Sequence, residues 1–134
     1  MTRPLRLLFV CVENSNRSQM AEAFARMHGA DSHSAGSRPS GRVNPKAIEA
    51  MREKGYDLST HASVSVDDLP EGHFDAVVGM GCGDACPYVP ATHHLEWDVP
   101  DPRDMTPEEF RGVRDLIERQ VVALIQELGS GNAT

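Results

Sequence analysis

The stretch that most constrains this chain is the apolar run Leu7-Leu8-Phe9-Val10, followed directly by Cys11-Val12-Glu13-Asn14-Ser15-Asn16-Arg17-Ser18. A short apolar run closed by a loop reads as a buried, central strand, here Leu5 to Val10. From Ser18 onward Met20, Ala21, Phe24, Ala25 and Met27 recur at helical spacing, and Gly29 stops the pattern near His28. Strand, loop and helix in that order set a cysteine at the strand's end and an arginine where the helix opens. A loop of that length can curl around one tetrahedral oxyanion, with backbone N–H groups and the helix N-terminus pointing inward. The same field favours a thiolate, the nucleophilic form of cysteine.

Val12, Glu13, Asn14, Ser15, Asn16, Arg17 and Ser18 are therefore the candidate anion-binding residues, and Cys11 the candidate nucleophile. The planar fork of Arg17 suits two oxyanion oxygens. Asn14 tolerates the left-handed backbone that a curled loop needs, and the Ser18 hydroxyl can donate to the Cys11 thiolate. The plainer alternative, a buried strand-end cysteine followed by a solvated arginine, gives Asn14 and Ser18 no role.

Farther along, Ser32 to Ala35 reads as a weak strand ended by Gly36, and Asn44 caps a helix with Pro45 at its first position and Gly55 past its end. Tyr56 to Gly72 is mixed, with Ser63 to Val66 extended and Asp67 to Leu69 a short helical turn. Phe74 to Met80 is the next buried strand, and His93 to Trp97 a further one, with Trp97 a packing residue. Thr106-Pro107-Glu108-Glu109 is a capping box. Phe110, Val113, Ile117, Val121, Leu124 and Leu128 then line one face of the last helix, leaving Gly129 to Thr134 as a frayed tail. Alternating strands and helices imply a small doubly wound parallel sheet of about four strands flanked by helices. Ligands of such sheets bind outside the strands' carboxyl ends, where Cys11, Cys82 and Asp101 would gather.

With 134 residues the chain reads as one catalytic domain, 1–134, able to bury a core without disulfides or structural metal. A net charge of −7 argues against nucleic-acid partners, so an anion site has to be local. No apolar run approaches the ~20 residues of a membrane span, and the apolar block after the basic start is too short for a signal peptide. Three cysteines without an export signal point to a reducing cytoplasm, where thiols are catalytic or metal-binding.

Cys82 and Cys86 admit two readings. With His93 and His94 they offer a metal half-site, although adjacent histidines suit one tetrahedral ion poorly. Alternatively Gly81 and Gly83 give the loop mobility for a thiol relay. Asp101, before Pro102, is either a turn residue or a general acid for the leaving oxygen of a substrate held at Arg17, and Asp98 competes for that role. His28, His33, His61 and His73 are assigned to the surface.

Cys11-x5-Arg17-Ser18, the following Gln19-Met20-Ala21-Glu22, Ser34-Ala35-Gly36, Asn44-Pro45-Lys46-Ala47 and Asp101-Pro102 together resemble arsenate reductases built on the low-molecular-weight protein tyrosine phosphatase fold. The likeness runs from about Leu7 to the last helix. Gln19 stands where phosphatases of this fold usually carry Pro, and Cys82 where the reductases keep their second thiol.

The resemblance implies that Cys11 attacks arsenate, for which phosphate or sulfate are analogues, while Arg17 and the loop amides hold its oxygens and Asp101 protonates the departing one. Cys82 then attacks Cys11 and releases arsenite, and Cys86 resolves the disulfide for reduction by thioredoxin or another small thiol system. It implies a monomer with no tightly bound cofactor, in which Asn14, Glu22 and Ser34 support the loop, in some members around a potassium ion. The alternative is a phosphatase for phosphotyrosine or aryl phosphates that uses only Cys11, Arg17 and Asp101. Three departures stand out: Glu13 where the loop usually has Gly, Asn16 where a further Cys is frequent, and a Cys82-x3-Cys86 spacing shorter than in the thioredoxin-coupled type.

Overall fold

Leu7, Leu8, Phe9 and Val10 are all buried, and a strand without a solvent-facing side belongs inside a sheet covered on both faces. The computed structural model describes residues 4–70, 72–81 and 89–132. In it, β1 (Arg6–Cys11) lies between β2 (Asp31–Gly36) and β3 (Phe74–Gly79), with β4 (Ala91–Glu96) beyond β3. Every pair is parallel, and the register sets Cys11 beside Gly36 and Val10 beside Gly79. Since β2 and β3 flank β1 on opposite sides, the winding reverses at β1, which is where open α/β sheets leave a crevice for ligands.

Alternate residues of β1 feed two cores. Leu7, Phe9 and Cys11 pack with Met20 and Phe24 of α1 (Arg17–Met27), Ala47 and Met51 of α2 (Pro45–Arg52), and Phe110 and Ile117 of α3 (Pro107–Asn132). Leu8 and Val10 join Ala35, Phe74 and Val77 on the other face, closed by Val66, Leu69 and Val89 from connecting segments. Trp97 packs on Phe9 with ring centroids 6.0 Å apart, which fixes the start of the loop that carries Asp101.

The local signals hold where one chemical group settles them. Asn44 accepts from the Lys46 amide at 2.9 Å, with Pro45 at the first helical position. At α3 Thr106 and Glu109 exchange side-chain and backbone hydrogen bonds of 3.0 and 3.2 Å. Two expectations need correction. The extended reading of Ser63 to Val66 holds at Ser65, which makes an isolated parallel bridge to Gly36, but not at Val66, which opens a 3-10 turn, Val66–Asp68, capped by the Ser65 hydroxyl. Nor does Gly129 open a frayed tail, because α3 continues to Asn132. A helix-interior glycine costs only about 1 kcal/mol relative to alanine, and α3 already absorbs Gly112. No helix among the described residues is long and apolar enough to cross a membrane.

Candidate active site

Between β1 and α1 the loop carbonyls are all taken from outside. Cys11 O accepts from Ser37 N at 3.2 Å, Val12 O from Arg38 N at 2.8 Å, Ser15 O from Asn44 N at 3.1 Å and Asn16 O from Met20 N at 3.0 Å; Asn14 O accepts from Gln19 Nε2 at 3.0 Å. In a trans peptide the next residue's N–H points opposite to the carbonyl. The amides of Val12, Glu13, Ser15, Asn16 and Arg17 therefore turn to the far side, where these residues line a cavity of about 200 Å³ together with Cys11, Asp101 and Arg103. Inward amides at a helix N-terminus make an anion nest. Gly36 makes the curl feasible, since a Cβ there would stand 2.6 Å from Val12 O and 3.0 Å from Asn14 N.

Hydrogen-bond direction around Cys11 follows from one backbone group. Asn14, at φ 52°, accepts from Val64 N at its Oδ1 (2.8 Å), so its amide nitrogen faces the other way. That nitrogen donates to Ser18 Oγ at 2.8 Å and to Ser34 Oγ at 2.9 Å. The Ser34 hydroxyl donates in turn to Glu22 Oε1 at 2.5 Å. With its oxygen occupied by Asn14, Ser18 has its hydroxyl proton free for Cys11 Sγ, 2.8 Å away. Asn14, Ser18 and Gln19 are completely buried, so the network is shielded from competing water.

Gln19 fastens this network to a segment far away in the chain. Its Nε2 donates to Asn14 Oδ1 at 3.0 Å and to Ala62 O at 2.9 Å, which leaves Oε1 to accept from His61 Nδ1 at 2.8 Å. In the neutral imidazole, His61 Nε2 then accepts from the Tyr56 hydroxyl at 2.6 Å. Burial, reinforced by the charge of Arg26, pushes His61 down to about 4. The surface placement expected of His61 is thus wrong: its side chain is 4% exposed, because its two ring nitrogens are taken up by Gln19 of α1 and by Tyr56.

Arg17 spans three loops. Its NH1 donates to Val99 O at 3.1 Å, its NH2 lies 3.9 Å from Asp101 Oδ2, and its guanidinium fills the space that a Cβ on Gly81, at φ +94°, would need. Asp101 lines the cavity and Asp98 does not, which favours Asp101 as the proton donor. Glu13 is paired rather than bare, with both carboxylate oxygens 3.3 Å from Arg103 NH1. Cys82 and Cys86 lie outside the described residues. Sequence patterns carried no signal for His61, for Arg103, or for the close approaches at Gly36 and Gly81, since all four depend on contacts between distant loops.

The oxygens that would serve a potassium ion are engaged. Glu22 accepts from Ser34 on one oxygen and pairs with Arg26 at 2.6 Å on the other; Asn14 Oδ1 already accepts from Val64 N and Gln19 Nε2. Burial raises the Glu22 carboxyl above its usual range, against the opposing pull of Ser34 and Arg26. A guanidinium supplies the cation there, and the donor set does not fit a potassium ion unless Arg26 leaves. Among the described residues no cluster of His, Cys, Asp and Glu could hold a metal.

The family described as low molecular weight phosphotyrosine protein phosphatase matches residues 6–133. An arsenate reductase of Staphylococcus aureus (strain Newman) is 43% identical over 119 residues, spanning 84% of this chain and 89% of the relative. A glutaredoxin arsenate reductase of Synechocystis sp. is 36% identical over 128 residues, spanning 92% and 98%. A solved structure described as an arsenate reductase in the phosphate binding state superposes with a TM-score of 0.81 at 32% identity, covering 92% of this chain and 98% of the other.

Proposed function

This chain belongs to the low molecular weight phosphotyrosine protein phosphatase family, and from that premise we propose that it is an arsenate reductase, converting arsenate to arsenite. The observation that carries the reading is the contact between Arg17 and Gly81. Gly81, the residue before Cys82 in the chain, lies against the arginine of the anion nest; a relay needs a second thiol, and a phosphatase needs none.

The chemistry follows from the groups in place. The Cys11 thiolate attacks arsenic(V) in the nest; one hydroxide leaves with a proton from Asp101 as water, and a sulfur–arsenic bond remains. Arg17 and the loop amides hold the charge on the oxygens. The Cys82 thiolate attacks Cys11 Sγ, the sulfur–arsenic bond breaks, and its electron pair stays on arsenic, which departs as arsenite while the two sulfurs become a disulfide. Cys86 attacks Cys82, returning Cys11 as the thiolate and leaving a Cys82–Cys86 disulfide. An external dithiol protein, thioredoxin or glutaredoxin, takes that disulfide. A glutaredoxin is named for the Synechocystis relative. Such chemistry belongs in a reducing compartment, the cytoplasm. On this proposal the protein is a monomer without a tightly bound cofactor.

The rival is hydrolysis of aryl phosphates by Cys11, Arg17 and Asp101 alone, which the family match also fits, though less well than the reductase relatives fit the first reading. Cys82→Ser separates the two: arsenate turnover should fall more than a hundredfold while any aryl phosphate hydrolysis persists. Wild-type protein that hydrolyses aryl phosphate yet turns over no arsenate with any thiol donor would overturn the reductase assignment. Mass mapping of the disulfides after one arsenate turnover identifies the resolving thiol.

A further inference from the structure

A carboxylate in the wall of an anion cavity, as at Glu13, repels the ligand that the cavity is built for. Its partner Arg103 lines the same cavity as Cys11 and Arg17. The two side chains are 39% and 55% exposed, and a pair so solvated holds its partners only weakly. The stem of Arg103 is held more firmly: its amide donates to Asp101 Oδ1 at 3.1 Å, and its carbonyl accepts from Lys46 Nζ at 3.0 Å. Only NH1 faces Glu13; among the described residues Nε and NH2 have no hydrogen-bond partner. The result is a guanidinium tethered by one nitrogen over the cavity, with spare donors.

We propose that Arg103 is a second oxyanion-binding guanidinium, presented to the cavity by Glu13 and by its backbone anchors to Asp101 and Lys46. A doubly charged oxyanion beside Arg17 alone keeps an unmatched negative charge; Arg103 matches it. A dianion accepts stronger, charge-assisted hydrogen bonds than the exposed Glu13 pair makes, so Arg103 leans toward it when it enters. The charge of Glu13 is thereby offset from the loop that carries Asp101. This deepens the reductase reading and concerns the same site, but its test uses inorganic phosphate, which needs no redox turnover.

Phosphate binding to the reduced full-length protein is measured by calorimetry. Arg103→Ala should weaken it about tenfold, and Arg103→Lys, which keeps the charge without the fork, should fall between. The decisive comparison is made on a Glu13→Gln background, where no carboxylate remains for Arg103 to neutralise. There Arg103→Ala should still weaken phosphate at least threefold. A smaller loss would show that Arg103 only cancels Glu13, and the proposal would be overturned. Wild-type protein that binds phosphate without reducing arsenate would defeat the reductase reading and leave this inference intact.

Discussion

The side-chain carbonyl of Gln19 accepts a 2.8 Å hydrogen bond from Nδ1 of His61. One amide thereby fastens the anion loop, through Asn14, to an imidazole that must stay neutral. Protonating His61 would set a positive charge in a buried site beside Arg26 and take away the lone pair that receives the Tyr56 hydroxyl.

Acid should therefore loosen the fold. His61 titrates near 6.5 when unfolded and about 4 when folded, so between those values the unfolded chain binds more protons and stability falls as pH drops, by up to about 3 kcal/mol. Glu22, whose folded carboxyl is raised, acts in the opposite sense, since acidification relieves its buried charge. Denaturant unfolding from pH 7 to 4 should show the loss in wild type and a flatter profile in His61→Gln. Equal slopes would remove His61 from the account.

Ser18 delivers the only hydroxyl proton within reach of Cys11 among the described residues. Ser18→Ala should slow alkylation of Cys11 by iodoacetamide at pH 7 by about tenfold, followed residue by residue with mass spectrometry. An unchanged rate would mean that the loop amides and Arg17 stabilise the thiolate without help.

Gly36 is close enough to the loop that a methyl group must displace it. Gly36→Ala should lower stability by about 1–3 kcal/mol and weaken phosphate binding as well, because Val12 and Asn14 are the atoms displaced. A variant that loses stability but binds phosphate like wild type would show that the loop relaxes without losing its shape.

Arg26 already pairs with the Glu22 carboxylate. Thermal unfolding of wild type should be the same in potassium chloride as in sodium chloride of equal concentration, whereas Arg26→Ala should be destabilised. A potassium-specific rise in the wild-type midpoint would show that an ion displaces the guanidinium.

Much of the framework was legible in the sequence because its signals are local. An apolar tetrad buried on both faces marks β1, Asn44-Pro45 and Thr106 to Glu109 mark helix starts, and Cys-x5-Arg between strand and helix marks the nest. Asp101 could be singled out from its Asp-Pro loop, but that it lines the cavity while Asp98 does not depends on the fold. Gln19 could be singled out by its identity, while its partners could not: His61 lies 42 residues away, in a segment without periodicity. Glu13 and Arg103 are 90 residues apart and meet because parallel strands deliver their following loops to one edge. Gly129 misled for a different reason, as one glycine's helix penalty is small beside the packing of a long helix already under way.

Arg17 reaches Val99 and rests on Gly81 as well as facing the cavity, so deleting its side chain would confound two defects in a single assay. An inactive Arg17 variant reports a slackened joint between the ends of β3 and β4 as much as a missing charge. Free guanidinium supplied from solution distinguishes them: where it restores phosphate binding, the joint has survived and only the charge was lost; where it does not, the scaffold itself has let go.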